Sequence, residues 1–363
     1  MKIVTILGAR PQFIKAGSVS REINHQISLG KNISETLIHT GQHYDENMSD
    51  IFFEEMHLPK PNYKLEIGGK THGAMTGQMI HEIENILFQE KPDTVVVYGD
   101  TNTTLAGAIA SAKLHIPIAH VEAGLRSFNM QMPEEINRIL TDRISKILFC
   151  PTLAAKKNLE NEGFSHWNTS SKLLISGDVM LDGALYYAGF SEKPASIDCD
   201  NEFILSTIHR AENTNNKIRL KGIVSALNEL GKSKKIIFPV HPRTKKIISE
   251  ENFDISNIEI IDPVGYFNMI WLINHCSIIM TDSGGLQKEA FFFKKPCITL
   301  RDQTEWVELV DLKVNFLAGA DRGNILTVYS ELNNMIDFNN FNLELYGNGQ
   351  ASKLIVEELL NAK

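Results

Sequence analysis

The feature that most constrains this 363-residue chain is the regular alternation of short apolar, β-rich runs with segments of helical periodicity. Apolar strands on both sides of intervening helices are typical of a parallel sheet covered on both faces. One of the helical segments, GAMTGQMIHEIENILFQE (residues 73–90), has apolar residues at positions 75, 79, 80, 83, 86 and 87, the spacing of an amphipathic helix. The alternation therefore predicts an α/β fold.

The alternation occurs in two series, one in each half of the chain. Strands are predicted at residues 2–8, 35–41, 93–99, 116–123 and 146–150, and then at 203–209, 235–241, 258–262, 277–282, 296–300 and 314–319. Two such series predict two Rossmann-like, doubly wound domains. We place the boundary in the polar stretch LENEGFSHWNTSSK, which gives domains of residues 1–168 and 169–349. We expect a C-terminal helix at 350–363 to return to the first domain.

Composition and charge exclude several functional classes. The formal net charge of −8, from 36 basic and 44 acidic residues, argues against a nucleic-acid-binding protein. No run of 18 apolar residues is present, and the short N-terminal apolar run ends at Arg10-Pro11 without a cleavage site. The sequence therefore predicts a cytoplasmic protein with no membrane partner.

In the first half, carboxylates follow two neighbouring strands and open one helix. Asp100 follows the run VVVYG, Glu122 follows IPIAHV, and Glu134 and Glu135 follow Pro133. Asp100 can serve as the N-cap of the next helix, and the two glutamates suit a first helical turn. Metal binding is disfavoured because no His or Cys accompanies them at ligand spacing. If these carboxylates face a bound phosphate, proton transfer is the better interpretation.

In the second half, basic residues and glycines occupy the corresponding strand ends. The motif TDSGGLQKEA (281–290) is a strand end, a glycine pair and a helix start, which suits either a phosphate-binding turn or an ordinary βα turn. The motifs STIHRAEN (206–213) and PVHPRT (239–244) supply His and Arg side chains, and Arg suits bidentate phosphate contacts. Because ligands bind beyond the carboxyl ends of parallel strands, we expect an active site in a cleft between the domains.

Taken in order, these motifs resemble the non-hydrolysing UDP-N-acetylglucosamine 2-epimerase family over essentially the whole chain. The motifs that carry the resemblance are GARPQFIKA, HTGQHYD, YGDTNTTLAGA, HVEAGLRS, PEEINR, HRAEN, HPRT, TDSGGLQKEA and YGNGQAS. The resemblance implies two Rossmann-like domains facing across a cleft, the GT-B architecture of one large class of glycosyltransferases. It also implies a homodimer and neither a metal nor NAD.

The reaction implied by the resemblance gives the carboxylates a purpose. A base removes the proton from sugar carbon 2 as UDP leaves carbon 1, and UDP then adds back to the 2-acetamidoglucal while a proton arrives on the opposite face. The family pattern implies a catalytic set of Asp100, Glu122, Glu134 and His209. It implies a substrate- and UDP-binding set of Arg10, Gln42, His43, Arg138, Arg210, Glu212, Asn213, His241, Arg243, Ser283, Gly284, Gly285, Glu289 and Arg301.

Two departures from the family pattern bear on the substrate. Members that act on UDP-N-acetylglucosamine usually read Thr-Glu-Arg-Pro-Glu where this chain has TEWVE (304–308), and they carry a longer segment than RSFNMQM (126–132). Both departures resemble the branch that acts on UDP-2,3-diacetamido-2,3-dideoxyglucuronate and makes its manno epimer for surface polysaccharides such as O-antigen. UDP-N-acetylglucosamine remains the alternative substrate.

Three other functions use the same motifs. A hydrolysing epimerase releases UDP, but such relatives usually open with Gly-Thr-Arg-Ala rather than GARPQ. A UDP-sugar glycosyltransferase shares the cleft and the phosphate-binding turn. A nucleotide-sugar sensor without turnover has no need of the carboxylates.

Overall fold

A computed structural model describes residues 1–42, 58–167, 170–198 and 202–362, and within them the chain forms two compact units. Unit 1 comprises Met1–Leu185 and Glu344–Lys363, and unit 2 comprises Tyr186–Leu343. No helix in these residues is long and apolar enough to span a bilayer.

Unit 1 is built on a parallel sheet of seven described strands in the order β3-β2-β1-β4-β5-β6-β7. The strands are β1 Lys2–Leu7, β2 Ser34–His39, β3 Tyr63–Lys64, β4 Thr94–Tyr98, β5 Ile118–Val121, β6 Ile147–Cys150 and β7 Lys172–Ile175. The helices between and after them are α1 Arg10–Ser28, α2 His72–Glu90, α3 Asn102–Lys113, α4 Pro133–Ile144, α5 Leu153–Asn161, α6 Phe164–Trp167 and α7 Val179–Ala188. The chain order reverses between β1 and β4, which is where such folds bind ligands.

Unit 2 is built on a parallel sheet of six described strands in the order β10-β9-β8-β11-β12-β13. The strands are β8 Phe203–Thr207, β9 Ile236–Pro239, β10 Glu259–Ile261, β11 Cys276–Thr281, β12 Cys297–Thr299 and β13 Asn315–Leu317. The helices are α8 Ala211–Thr214, α9 Lys217–Leu230, α10 Pro242–Glu250, α11 Tyr266–His275, α12 Gly284–Phe292, α13 Val307–Asp311 and α14 Arg322–Met335, followed by a 3₁₀ turn at Phe338–Asn342. Here the order reverses between β8 and β11.

The two series of strands confirm the prediction of two doubly wound α/β units. The predicted amphipathic segment forms α2, whose buried residues Met75, Met79, Ile83, Ile86 and Leu87 lie in the core of unit 1. The central strands β1, β4, β5, β6 and β8 are almost entirely buried, as expected for parallel sheets with helices on both faces.

Strand β7 extends the first unit beyond the boundary that the sequence suggested. Residues Lys172–Ile175 pair in parallel with Ile147–Cys150, so β7 is the edge strand of the first sheet rather than the opening strand of the second. The division between the units falls at Leu185, within α7. The described part of the polar stretch 159–172 contains the end of α5, helix α6 and the first residue of β7, so it lies inside unit 1 and is not the division between the units.

The C-terminal helix α15, Ala351–Asn361, belongs to unit 1 and packs against α1. The Asp182 carboxylate accepts hydrogen bonds from the Ala351 N–H at 3.1 Å, the Ser352 N–H at 2.7 Å and the Ser352 hydroxyl at 2.6 Å. These bonds satisfy amide groups that the first turn of a helix leaves without partners, and they fix α15 to α7.

Candidate active site

Asp100 lies at the carboxyl end of β4, and its carboxylate is free of the helix cap that the sequence also allowed. Thr101 is the N-cap of α3, because its hydroxyl accepts from the Thr104 N–H. The Asp100 carboxylate instead forms an ion pair with Arg138, and the Asp100 carbonyl accepts from the Asn137 amide at 2.9 Å. About a third of the Asp100 side chain stays exposed (32%), so its carboxylate is held and reachable.

Glu122, at the end of β5, has a backbone conformation that L-residues rarely adopt. Its φ is +73°, in the left-handed region, where a side chain costs about 1–2 kcal/mol. Its buried carboxylate forms an ion pair with Lys15 of α1. Strain of this kind often accompanies function, because the surrounding structure must hold the residue in place. Sequence reasoning missed Lys15, although it stands five residues after Arg10 in the motif GARPQFIKA.

Gly99 gives the Lys15–Glu122 pair its space. A Cβ on Gly99 would lie 3.1 Å from the Glu122 Oε2 atom and 3.3 Å from the Lys15 Nζ atom. The φ of Gly99 is +63°, which glycine adopts without a steric penalty. Both the turn before Asp100 and the Lys15–Glu122 pair therefore require a residue without a side chain at position 99.

Glu134 and Glu135 are adjacent in α4 but lie in opposite environments. Glu135 is buried, and its carboxylate accepts from the Ser127 N–H, the Ser127 hydroxyl and the Phe128 N–H, each at 2.9 Å, and from Arg138 at 2.7 Å. Glu134 is exposed and makes no hydrogen bond or ion pair with the residues that the structure describes. Of the two, only Glu134 is available to a ligand.

Arg138 links the buried glutamate to the exposed aspartate. Its guanidinium contacts both Glu135 and Asp100 and is itself buried. Burial lowers the pKa of Arg138, but the two carboxylates outweigh burial and the net shift is upward. The arginine is therefore always charged and fixes Asp100 relative to α4.

The remaining candidates of unit 1 are only partly described. The Gln42 side-chain oxygen accepts from the Thr103 N–H and the Thr103 hydroxyl, both at 3.0 Å, so it holds the start of α3. His43 lies outside the described residues, and so does the side chain of Arg10, whose backbone starts α1. Their predicted roles stay predictions.

Asp282 organises the candidate residues of unit 2 at the reversal point between β8 and β11. Its buried carboxylate accepts from the His209 N–H at 3.1 Å, the Arg210 N–H at 3.1 Å and the Asn213 amide at 3.0 Å. The His209 ring lies 3.4 Å from Asp282, and its side chain is 55% exposed. Asp282 thus orients His209 while leaving the ring accessible. Asp282 stands in the motif TDSGGLQKEA, but sequence reasoning gave it no role of its own.

The glycine pair after β11 forms the first two residues of α12, and the Ser283 N–H before it donates to the Thr281 hydroxyl at 2.9 Å. The Ser283 hydroxyl accepts from the Leu286 N–H as the N-cap, and a Cβ on Gly284 would lie 2.3 Å from the Glu305 Oε1 atom. Glycine is therefore the residue that fits between this turn and Glu305. Glu289, one turn into α12, is buried and accepts from the Tyr266 hydroxyl at 2.8 Å.

The three predicted arginines of unit 2 are engaged with neighbours, and two of them contact Glu305 beside this turn. Glu305 contacts Arg301 at 2.8 Å and Arg210 at 3.5 Å. Burial raises the pKa of Glu305, but the charges of the two arginines lower it by more, so the net shift of the pKa is downward. Arg243 lies in the first turn of α10 and donates to Asn215 at 2.7 Å.

The other predicted residues of unit 2 divide between the surface and the interior. Glu212 is exposed and pairs with Arg219 at 3.2 Å, while His241 is the N-cap of α10. Asn213 is buried and also donates to the Leu300 carbonyl at 3.0 Å, so it joins β12 to the loop after β8. Within the described ranges, no three His, Cys, Asp or Glu side chains cluster as a metal site.

Comparison with known proteins identifies relatives along the whole chain. The family model described as UDP-N-acetylglucosamine 2-epimerase matches residues 25–360. A Pseudomonas aeruginosa protein named UDP-2,3-diacetamido-2,3-dideoxy-D-glucuronate 2-epimerase is 54% identical over 361 residues, which cover 99% of each chain.

Solved structures give the same result for the fold. The crystal structure of Methanocaldococcus jannaschii UDP-GlcNAc 2-epimerase in complex with UDP-GlcNAc and UDP is 44% identical and covers 99% of this chain and all of its own, with a TM-score of 0.87. The Neisseria meningitidis UDP-GlcNAc 2-epimerase bound to UDP-GlcNAc is 32% identical at the same coverage, with a TM-score of 0.87.

Proposed function

The chain belongs to the UDP-N-acetylglucosamine 2-epimerase family, and we propose that its substrate is UDP-2,3-diacetamido-2,3-dideoxyglucuronate. The enzyme is an isomerase, a non-hydrolysing 2-epimerase of a UDP-2-acetamido sugar. The observation that carries the choice of sugar is the 54% identity to a relative of that name, over 99% of both chains. The TEWVE segment supports it.

We further propose how the described groups divide the reaction. Asp100, Glu122 and Glu134 of unit 1 exchange the proton at sugar carbon 2, with Arg138 holding Asp100 and Lys15 holding Glu122. His209 of unit 2 assists at the leaving UDP, and the turn Ser283–Gly285 binds its phosphates through the Gly284 and Gly285 amides, as a helix N-terminus does. Elimination followed by re-addition moves a proton and a leaving group, and the carboxylates and bound UDP supply both.

The test is incubation of the enzyme with either of the two UDP-sugars in deuterated water, followed by proton and phosphorus NMR. We expect the uronate to give its manno epimer with deuterium at carbon 2 and no accumulation of UDP. Retention of the original hydrogen overturns the elimination mechanism, and UDP formed stoichiometrically with free sugar indicates a hydrolysing enzyme. Transfer to an added acceptor sugar without epimer indicates a glycosyltransferase. Turnover of UDP-N-acetylglucosamine alone overturns the choice of substrate.

We also propose that the protein is a homodimer that pairs through α4. Ile136, Leu140 and Ile144 repeat every fourth residue along α4 and are 40%, 45% and 37% exposed, and Phe128 and Met130 before the helix are 76% and 58% exposed. An apolar stripe of this kind on a helix suits a two-fold contact with a second copy. Leu140→Asp should give monomers in sedimentation velocity, whereas Ile218→Asp, at an isolated exposed site on α9, should not. A wild-type monomer contradicts the proposal.

The biological setting completes the proposal. We place the reaction in the cytoplasm and its product in the synthesis of a surface polysaccharide. Deletion of the gene should remove the corresponding mannuronate-type residue from that polysaccharide, as measured by sugar analysis. An unchanged sugar composition contradicts this role.

A further inference from the structure

His120 of β5 is a fully buried histidine whose two ring nitrogens both contact acceptor groups. Its Nδ1 atom lies 2.7 Å from an oxygen of Asp142, and its Nε2 atom lies 2.8 Å from the Gly99 carbonyl oxygen. The proposed reaction does not use this side chain. Its position directly behind the turns that carry Asp100 and Glu122 requires an explanation.

The partners of His120 determine where its protons are. A carbonyl oxygen can only accept, so the Nε2 atom must donate to Gly99. The second oxygen of Asp142 already accepts from the Gly124 N–H at 3.1 Å and from Arg126 at 2.7 Å, which favours an ionised carboxylate. An ionised Asp142 can also only accept, so the Nδ1 atom must donate as well. A ring that donates from both nitrogens is an imidazolium cation.

The charges around this cation balance. Arg126 also contacts Glu162, at 2.6 Å from its Nε atom and 2.9 Å from its Nη2 atom. Two cations, His120 and Arg126, thus face two carboxylates, Asp142 and Glu162. A buried ion is tolerated when it is paired and its hydrogen-bonding groups are satisfied, as they are here.

The network joins three elements that carry the proposed catalytic carboxylates. His120 binds the Gly99 carbonyl, one residue before Asp100, and itself stands two residues before Glu122. Asp142 lies on α4, the helix that begins next to Glu134, and also binds the Gly124 amide in the turn after Glu122. Glu122 is a non-glycine residue with positive φ, so its strained turn must be held in place by the surrounding structure.

We propose that His120 is a doubly protonated positioning residue, which with Asp142 and Arg126 fixes the turns of Asp100 and Glu122 relative to α4. It does not touch the substrate. Its effect on turnover rests on the proposed function, whereas its protonation state does not.

The first test measures the protonation state without substrate. Protein labelled with ¹⁵N-histidine should show two slowly exchanging ring N–H signals for His120 at pH 7.5, assigned by their loss in His120→Gln. Asp142→Asn should reduce them to one, because a neutral amide no longer requires a cation. A single ring N–H signal for His120 in the wild-type protein overturns the proposal.

The second test measures the positioning effect. His120→Gln and Asp142→Asn should each lower kcat by about 10–100-fold, the usual effect of losing a group that orients reacting residues, while UDP affinity changes less than about twofold. Both should also release more UDP and glycal per epimer formed, because misplaced carboxylates fail to return the proton before the intermediate escapes. His275→Gln, which removes a half-buried histidine of unit 2, is the matched control and should keep wild-type kinetics.

The outcomes separate the two proposals. Wild-type kcat and product ratio in both variants overturn the positioning role even if the enzyme is an epimerase. If the wild-type protein epimerises neither sugar, the proposed function fails, and the NMR result still decides the state of His120. If His120→Gln does not fold, the wild-type spectrum and Asp142→Asn decide it.

Discussion

At the residue scale, Glu134 and Glu135 have the same side chain and neighbouring positions but different surroundings. Glu134→Gln should lower turnover by about 10²–10⁴-fold, the usual contribution of a group that transfers a proton, with the melting temperature unchanged. Glu135→Gln removes a charge that accepts three bonds from Ser127 and Phe128 and pairs with Arg138. It should lower the free energy of unfolding by about 2–4 kcal/mol and lose far less turnover. Thermal unfolding and initial rates measure both, and equal rates in the two variants contradict the assignment.

The stability effect at Glu135 should depend on pH. Burial raises the pKa of this carboxyl, but the hydrogen bonds from Ser127 and the charge of Arg138 lower it more, so the net pKa lies below 4.5. Because the folded-state pKa lies below that of the unfolded chain, the stabilisation is present above about pH 4.5 and is lost as the pH falls through the folded-state value. The stability difference between wild type and Glu135→Gln should therefore narrow in acid. A constant difference between pH 7 and pH 3 contradicts this assignment.

Gly99 gives a second residue-scale prediction. A methyl group on Gly99 meets the Lys15–Glu122 pair at 3.1–3.3 Å and imposes a left-handed backbone conformation on a residue with a Cβ. Gly99→Ala should lower the free energy of unfolding by about 1–2 kcal/mol and displace the pair enough to slow turnover. Gly30→Ala is the control for the cost of the left-handed backbone conformation alone, because Gly30 has a φ of +82° and no atom within 4 Å of its Cβ. Equal turnover in the two variants would show that the space at Gly99 does not matter.

The limits of sequence reasoning at this scale follow from these residues. The family resemblance, not periodicity, chose Glu134 over Glu135. The motifs pointed to Asp100, Glu122 and this pair of glutamates because strand ends and helix starts can be located from periodicity. They did not point to Lys15 or Asp282, because these residues act through contacts with residues more than 70 positions away along the chain. Only the folded sheet brings these residues together.

At the scale of the element, the start of α3 has two neighbouring residues with different roles: Thr101 caps the helix, and Asp100 supplies the carboxylate. Thr101→Ala removes the hydroxyl that accepts from the Thr104 N–H and should cost about 1 kcal/mol, with turnover close to wild type. Asp100→Asn should cost little stability and lower turnover by about 10²–10⁴-fold. Denaturant unfolding and initial rates distinguish the two. A fully active Asp100→Asn enzyme would return Asp100 to a structural role beside Arg138.

Periodicity in the sequence located helices and strands better than it showed which of them pair or pack together. The run at 73–90 became α2 because its apolar spacing matches a helix with one buried face, which packs against α3 and joins the core of unit 1. The short strand β3, Tyr63–Lys64, has no such pattern, and two residues are too few to show one. Strand β7, Lys172–Ile175, was not among the predicted strands, and its hydrogen bonds to β6 assign it to the first sheet.

At the scale of the whole molecule, the two units differ in how the chain builds them. Unit 2 is one continuous segment, Tyr186–Leu343, with its own sheet and its own apolar core around Ile204, Phe238 and Met280. Unit 1 needs two segments, because α15 packs on α1 and its first turn is held by Asp182. A continuous segment with its own core should fold alone.

The isolated segment Tyr186–Leu343 should therefore unfold cooperatively and bind UDP, because the turn at Ser283–Gly285, Glu289 and Arg243 all lie within it. Its affinity should be lower than that of the full chain by about 1.5–3 kcal/mol, the contribution of one charge-assisted hydrogen bond, if Arg10 of unit 1 supplies a phosphate contact. Arg10→Ala in the full chain should bring UDP affinity to the same value.

Calorimetry of UDP binding to the segment, the full chain and Arg10→Ala gives the comparison. Gly284→Val is the control that should lose UDP binding, because it places a side chain against Glu305 and blocks the turn. A folded segment that does not bind UDP removes the phosphate site from unit 2. A segment that binds as tightly as the full chain removes Arg10 from the site.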